Sequence, residues 1–114
     1  MITIYGIKNC DTMKKAFAWL DKAGIGYRFH DYKKEGMDQA RLTDWCKKVG
    51  WKTLVNTRGT TWRKLTTAQQ AVSTQADAIA LMLDNTSLIK RPVIEKGALV
   101  HVGFDPDTLE QLLK

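Results

Sequence analysis

With 114 residues, 44% of them hydrophobic and 26% charged, the chain has room for one domain with its own core, and its composition is not that of a fibre, a disordered tail or a membrane protein. The net charge of +6 favours an anionic ligand, yet the basic residues are scattered (Lys14-Lys15, Lys33-Lys34, Lys47-Lys48, Lys90-Arg91) and no basic helix interleaved with aromatics reads as a nucleic-acid groove binder. No apolar stretch approaches the ~18 residues of a membrane span, and the opening residues lack a charged leader followed by an apolar run, so the expected compartment is the cytoplasm.

Ile2 to Tyr5 alternates apolar and polar side chains and is followed by Gly6, which predicts a first strand. After a turn at Gly6 to Asp11, the residues Met13, Ala16, Phe17, Leu20 and Ala23 recur at intervals of three and four, which predicts an amphipathic helix. Asp11 or Thr12 is the expected N-cap, and Gly24 and Gly26 are the expected stop. Tyr27, Phe29 and Asp31-Tyr32 predict a second strand, which makes the opening β-α-β. Residues 38–48 then carry a helical pattern through Ala40, Leu42, Trp45 and Cys46. Leu54-Val55, a turn at Thr57-Arg58-Gly59-Thr60 and a helix near Gln75 to Leu83 follow. Val93-Ile94 and Leu99 to Val102, joined at Lys96-Gly97, predict a β-hairpin. A last helix starts at Asp105-Pro106 and buries Leu109, Leu112 and Leu113. The expected fold class is therefore α/β: one domain over 1–114, with a four-stranded mixed sheet flanked by helices and a mostly helical insertion at about 36–87.

Cys10 falls between the end of a strand and the start of a helix, where free N–H groups and the helix dipole favour an anion. A thiolate is such an anion, and Lys8, Lys14 and Lys15 add positive charge nearby. Met13 stands where a Cys-x-x-Cys motif has its resolving thiol. A mixed disulfide on Cys10 therefore needs a thiol from elsewhere, most simply glutathione. Cys46 reads as a core residue of the insertion, with the resolving thiol for Cys10 as the alternative. A proline before a strand, as in Arg91-Pro92, is a place for a cis bond and an exposed backbone edge, and Arg91 is a candidate anion holder. His30 and His101 lack companions at metal-ligand spacing, so no metal is expected. No phosphate-binding glycine loop is present. Trp19 and Trp45 read as core, whereas Trp51 and Trp62 flank the Arg58 turn.

The run Ile4-Tyr5-Gly6-Ile7-Lys8-Asn9-Cys10-Asp11-Thr12-Met13-Lys14-Lys15-Ala16 closely resembles the opening motif of the arsenate reductase (ArsC) and Spx family. Arg91-Pro92-Val93-Ile94 resembles that family's Arg-Pro strand start, and Asn56-Thr57-Arg58-Gly59 resembles a loop of its helical insertion. The likeness covers essentially the whole chain and is strongest to the YffB-like branch. It implies a thioredoxin-like fold, a catalytic cysteine at Cys10, a cis-proline at Pro92, and a substrate- or glutathione-binding set of Asn9, Asp11, Thr12, Lys14, Arg58, Arg91 and Pro92. Asn56 and Phe104 stand at two positions where arsenate reductases of the family have arginine, and Met13 removes the second thiol of the Spx switch. The expected function is thus a glutathione-dependent thiol/disulfide oxidoreductase with one nucleophilic cysteine. The expected co-substrate is glutathione, with glutaredoxin a possible partner, no tightly bound cofactor, and a monomeric state. A Spx-like protein-binding regulator and a true arsenate reductase are the alternatives.

Overall fold

The computed structural model describes residues 2–114. Strand β1 (Ile2–Gly6), helix α1 (Asp11–Lys22) and strand β2 (Tyr27–Asp31) form the opening unit. β1 and β2 run parallel, with Ile4 beside Phe29 and Tyr5 beside His30, so α1 is the crossover that returns the chain to the same end of the sheet. The second pair of strands, β3 (Val93–Lys96) and β4 (Leu99–Val102), is a hairpin that adds antiparallel to β1, giving the order β2-β1-β3-β4. This is the four-stranded mixed sheet of a thioredoxin-like fold. Helix α8 (Pro106–Leu113) closes it, with Pro106 at its first turn and Asp105 accepting the Thr108 N–H.

Alternation along the strands divides the sheet into two faces. Ile2, Ile4 and Ile94 point to one side and build a core with Met13, Ala16 and Leu20 of α1 and Leu109 and Leu113 of α8. Phe17, Tyr27 and Phe29 extend that core in an aromatic cluster, with the Phe17 and Phe29 rings edge to face at 5.0 Å. Tyr5, His30 and Val93 belong to the other face and are also buried. There the Tyr5 ring lies 4.8 Å from the His30 ring and its hydroxyl donates to the Glu95 carboxylate.

The chain forms two compact units, one from residues 2–31 and 91–114 and the other from Tyr32–Lys90. Within the second, α3 (Gln39–Val49) and α7 (Gln75–Asp84) pack together, with the short helices α2 (Tyr32–Glu35), α4 (Trp51–Leu54), α5 (Thr60–Arg63) and α6 (Thr67–Gln70) between and around them. Leu42, Trp45, Leu54, Met82, Leu88 and Ile89 are among its fully buried side chains. The Asn56 N–H donates to the Leu88 carbonyl at 2.8 Å and the Lys90 N–H to the Leu54 carbonyl at 2.7 Å, which joins the segment after α4 to the end of the unit.

Several local expectations need correction. Tyr32 starts a helix and is not part of the second strand. The N-cap of α1 is Cys10, not Asp11 or Thr12: Cys10 is extended (φ −138°, ψ 130°) and its carbonyl accepts the Lys14 N–H at 3.0 Å, so the helix begins one residue earlier than an oxygen-bearing cap implies. The four-residue helices α2, α4, α5 and α6 were not predicted, because one turn is too short to display a helical period.

Candidate active site around Cys10

Gly6 ends β1, and the turn through Ile7, Lys8 and Asn9 delivers Cys10 to the start of α1. The Cys10 side chain makes no capping hydrogen bond to the helix, but it stands where a cap stands, beside first-turn N–H groups that favour its anion. Burial of the sulfur works to raise its pKa; the Met13 N–H, the Arg91 side chain and the Thr12 N–H outweigh that, and the Arg91 charge adds to them. The thiol is consequently held below its ordinary value. Cys10 is half-buried, placed for attack by or on a molecule in solvent.

Arg91 reaches Cys10 because of the strand register. Val93 pairs with Tyr5, so the residues before β3 lie beside the turn that follows β1. The Arg91–Pro92 peptide bond is cis, as the family resemblance implies. Pro92 is buried, and its carbonyl accepts the Gly103 N–H at 2.8 Å. Gly103 has a φ of +93°, a conformation that favours glycine. The end of β4 thereby fastens the start of β3.

The structure brings Cys10, Thr12, Arg91 and Pro92 together in one unit. Asn9, Asp11 and Lys14 sit exposed on the same turn and first helical turn. Arg58 is exposed in the other unit, in a loop closed by Asn56, whose Oδ1 accepts the Arg58 N–H at 3.1 Å. Asn56 thus has a structural task in that loop, and a β-carbon on Gly59 would fall 2.8 Å from its Nδ2. Phe104 is half-buried against the core of α1, α8 and the sheet, where it offers bulk and no charge. Cys46 is buried in α3, and burial pushes its thiol up, which fits the core reading. Among the described residues no group of three His, Cys, Asp or Glu side chains forms a metal cradle, and no helix is long and apolar enough to cross a membrane.

The sequence reading missed two participants. The Met13 N–H is the foremost of the groups that lower the Cys10 pKa, although Met13 entered only as an apolar position of the helix and as the absence of a second cysteine. Gly6 lies directly against the Met13 side chain. A glycine at a strand end, followed by a helix with a large residue in its first turn, is a signal of close approach that was available in the sequence.

Comparison with known proteins gives these features a family. The model of the ArsC family matches residues 5–112. The chain belongs to the ArsC family. A solved structure of a protein named YFFB is 51% identical, with each chain covered over 100% of its length and a TM-score of 0.96. An arsenate reductase (ArsC) related protein from Brucella melitensis is 50% identical, covering 99% of this chain and 94% of that one, with a TM-score of 0.79. The global transcriptional regulator Spx of Staphylococcus saprophyticus is 27% identical over 115 residues, covering 99% of this chain and 87% of the regulator. Membership places the protein in a family of thiol oxidoreductases, and the likeness to YFFB agrees with the branch indicated by the motifs.

Proposed function

We propose that the protein is a thiol/disulfide oxidoreductase that works through Cys10 alone and uses glutathione as its co-substrate in the cytoplasm. The observation that carries this reading is the Cys10 sulfur at the start of α1, where the Met13 N–H, the Arg91 side chain and the Thr12 N–H lower its pKa against the effect of burial, with methionine at the resolving position. In the first step the Cys10 thiolate attacks the glutathione sulfur of a mixed disulfide R–S–S–G. The S–S bond breaks, the Cys10–S–S–G bond forms, and R–S⁻ departs and takes a proton from solvent. In the second step the thiolate of a free glutathione attacks the same glutathione sulfur. Oxidised glutathione is released and the Cys10 thiolate returns. Overall the substrate disulfide is reduced to a thiol and glutathione is oxidised.

Arg91 and Lys14 would pair with the carboxylates of glutathione, while Asn9, Asp11 and Thr12 would line the approach to the sulfur. The backbone beside Pro92 would hold the peptide portion of the adduct. Glutaredoxin is the protein partner consistent with this chemistry, since it also carries glutathione as a mixed disulfide. The test is turnover of a small glutathione mixed disulfide with glutathione in excess. Cys10→Ser should reduce the rate to the uncatalysed level, and Cys46→Ser should leave it intact; full turnover by Cys10→Ser would sink the proposal.

The Spx relative supports a second reading, a protein-binding regulator in which Cys10 is sensory or idle. A protein partner captured equally by the wild type and by Cys10→Ala, together with no reductase activity, would favour it. Direct reduction of arsenate predicts arsenate-dependent glutathione consumption, and the uncharged Phe104 side chain speaks against it.

A further inference from the structure

A β-carbon built on Gly6 would lie 2.5 Å from the Met13 Sδ, 2.6 Å from its Cε and 3.3 Å from its Cγ. The first two separations are closer than real carbon atoms come, so a larger residue at position 6 would make the Met13 thioether, the far end of a flexible side chain, give way inside a packed core. Gly6 is not among the glycines with positive φ; what favours glycine here is the space the thioether fills, not backbone conformation. Met13 has no exposed surface and lies in the first turn of α1, one residue past Thr12 and three past Cys10. Its unbranched, polarizable side chain is suited to lying along a strand end, where a β-branched residue would not follow the backbone.

We propose that Gly6 and Met13 form a positioning pair for Cys10, in which the bare backbone of Gly6 seats the Met13 thioether at the end of β1 and this contact sets the first turn of α1 so that its N–H groups face the Cys10 sulfur. Gly6 and Met13 meet through space at the strand end and the helix start, while of the chain between them Ile7 is buried and Lys8, Asn9 and Asp11 are exposed. The effect on Cys10 fits the same geometry, since the Met13 N–H leads the interactions that favour its anion. A shift of a few tenths of an ångström in this turn changes the N–H to sulfur distance directly, and such bonds weaken steeply with distance and angle.

This inference deepens the reading of Cys10 as the nucleophile and rests on it for its meaning. Thiol ionisation is read with no substrate present, so its failure and the failure of the reductase assay are distinguishable. The experiment follows iodoacetamide alkylation across pH on the full chain, with mass spectrometry separating the Cys10 and Cys46 peptides. Gly6→Ala and Met13→Ala should each move the Cys10 midpoint upward by about half a pH unit or more. The double variant, in which the methyl added at position 6 occupies part of the vacated space, should return it towards the wild type, and Met13→Leu should keep it close to the wild-type value. A folded Met13→Ala with an unmoved midpoint overturns the proposal, as does a double variant displaced as far as Met13→Ala. Should Gly6→Ala prevent folding, Met13→Ala against Met13→Leu decides alone, equal midpoints counting against the pair.

Discussion

After the Met13 N–H, the Arg91 side chain does most to lower the Cys10 pKa against the effect of burial. Arg91→Ala should move the alkylation midpoint of Cys10 upward, because burial of the sulfur then faces only the two N–H groups of Thr12 and Met13. Arg91→Lys should recover part of the shift, since an ammonium supplies charge without the planar fork of a guanidinium. Stability carries the same sign. The folded-state pKa of Cys10 lies below its unfolded value, so the thiolate stabilises the fold above the unfolded pKa, and that contribution is lost as pH falls through the folded one. Urea unfolding of the wild type against Cys10→Ser should therefore show a difference that grows with pH across this window and is absent on its acid side. The place of Cys10 between a strand end and a helix start was readable from strand, turn and helix order alone. Its role as the N-cap was not, because oxygen side chains are the usual caps and Asp11 and Thr12 stood next to it. Nor was the contact with Arg91, since no local pattern reports which strands pair.

Two elements fix where Arg91 sits, the start of β3 and the end of β4. Gly103→Ala places a side chain at φ +93° and strains the link from its N–H to the Pro92 carbonyl. A loss of about 1–3 kcal/mol in urea unfolding is expected, accompanied by an upward move of the Cys10 midpoint. The second readout distinguishes a disturbed site from a merely weakened hairpin. Gly59→Ala acts on the Arg58 loop instead: the new methyl displaces the Asn56 amide and breaks its hydrogen bond to the Arg58 N–H. A loss of about 1 kcal/mol in urea unfolding is expected, with Cys10 alkylation unchanged. The long elements were legible from their periods: α1, α3, α7 and α8 each repeat apolar residues on one face. The one-turn helices were not, and the capping box at Thr66 and Gln69 that starts α6 escaped notice because no apolar run follows it.

On the scale of the whole chain, burial and charge act over different ranges. Leu109 is fully buried in the core beneath the sheet, and Leu109→Ala should cost about 2–5 kcal/mol in urea unfolding. The net charge of +6 favours the approach of anions such as oxidised glutathione. The rate of Cys10 glutathionylation should fall as salt is raised from low values to about 0.1 M, where the screening length is about 10 Å. The four-stranded class was legible from the count of predicted strands, but the order β2-β1-β3-β4 is a property of pairing and had to be seen. That pairing has a consequence for synthesis. The unit that holds the thiol is made from two stretches of chain, residues 2–31 and 91–114, with all of Tyr32–Lys90 between them. Cys10 leaves the ribosome long before Arg91 does, on a helix too short to persist by itself. The help that Arg91 gives to the Cys10 anion therefore becomes available only once the chain past residue 91 has been made and β3 has paired with β1.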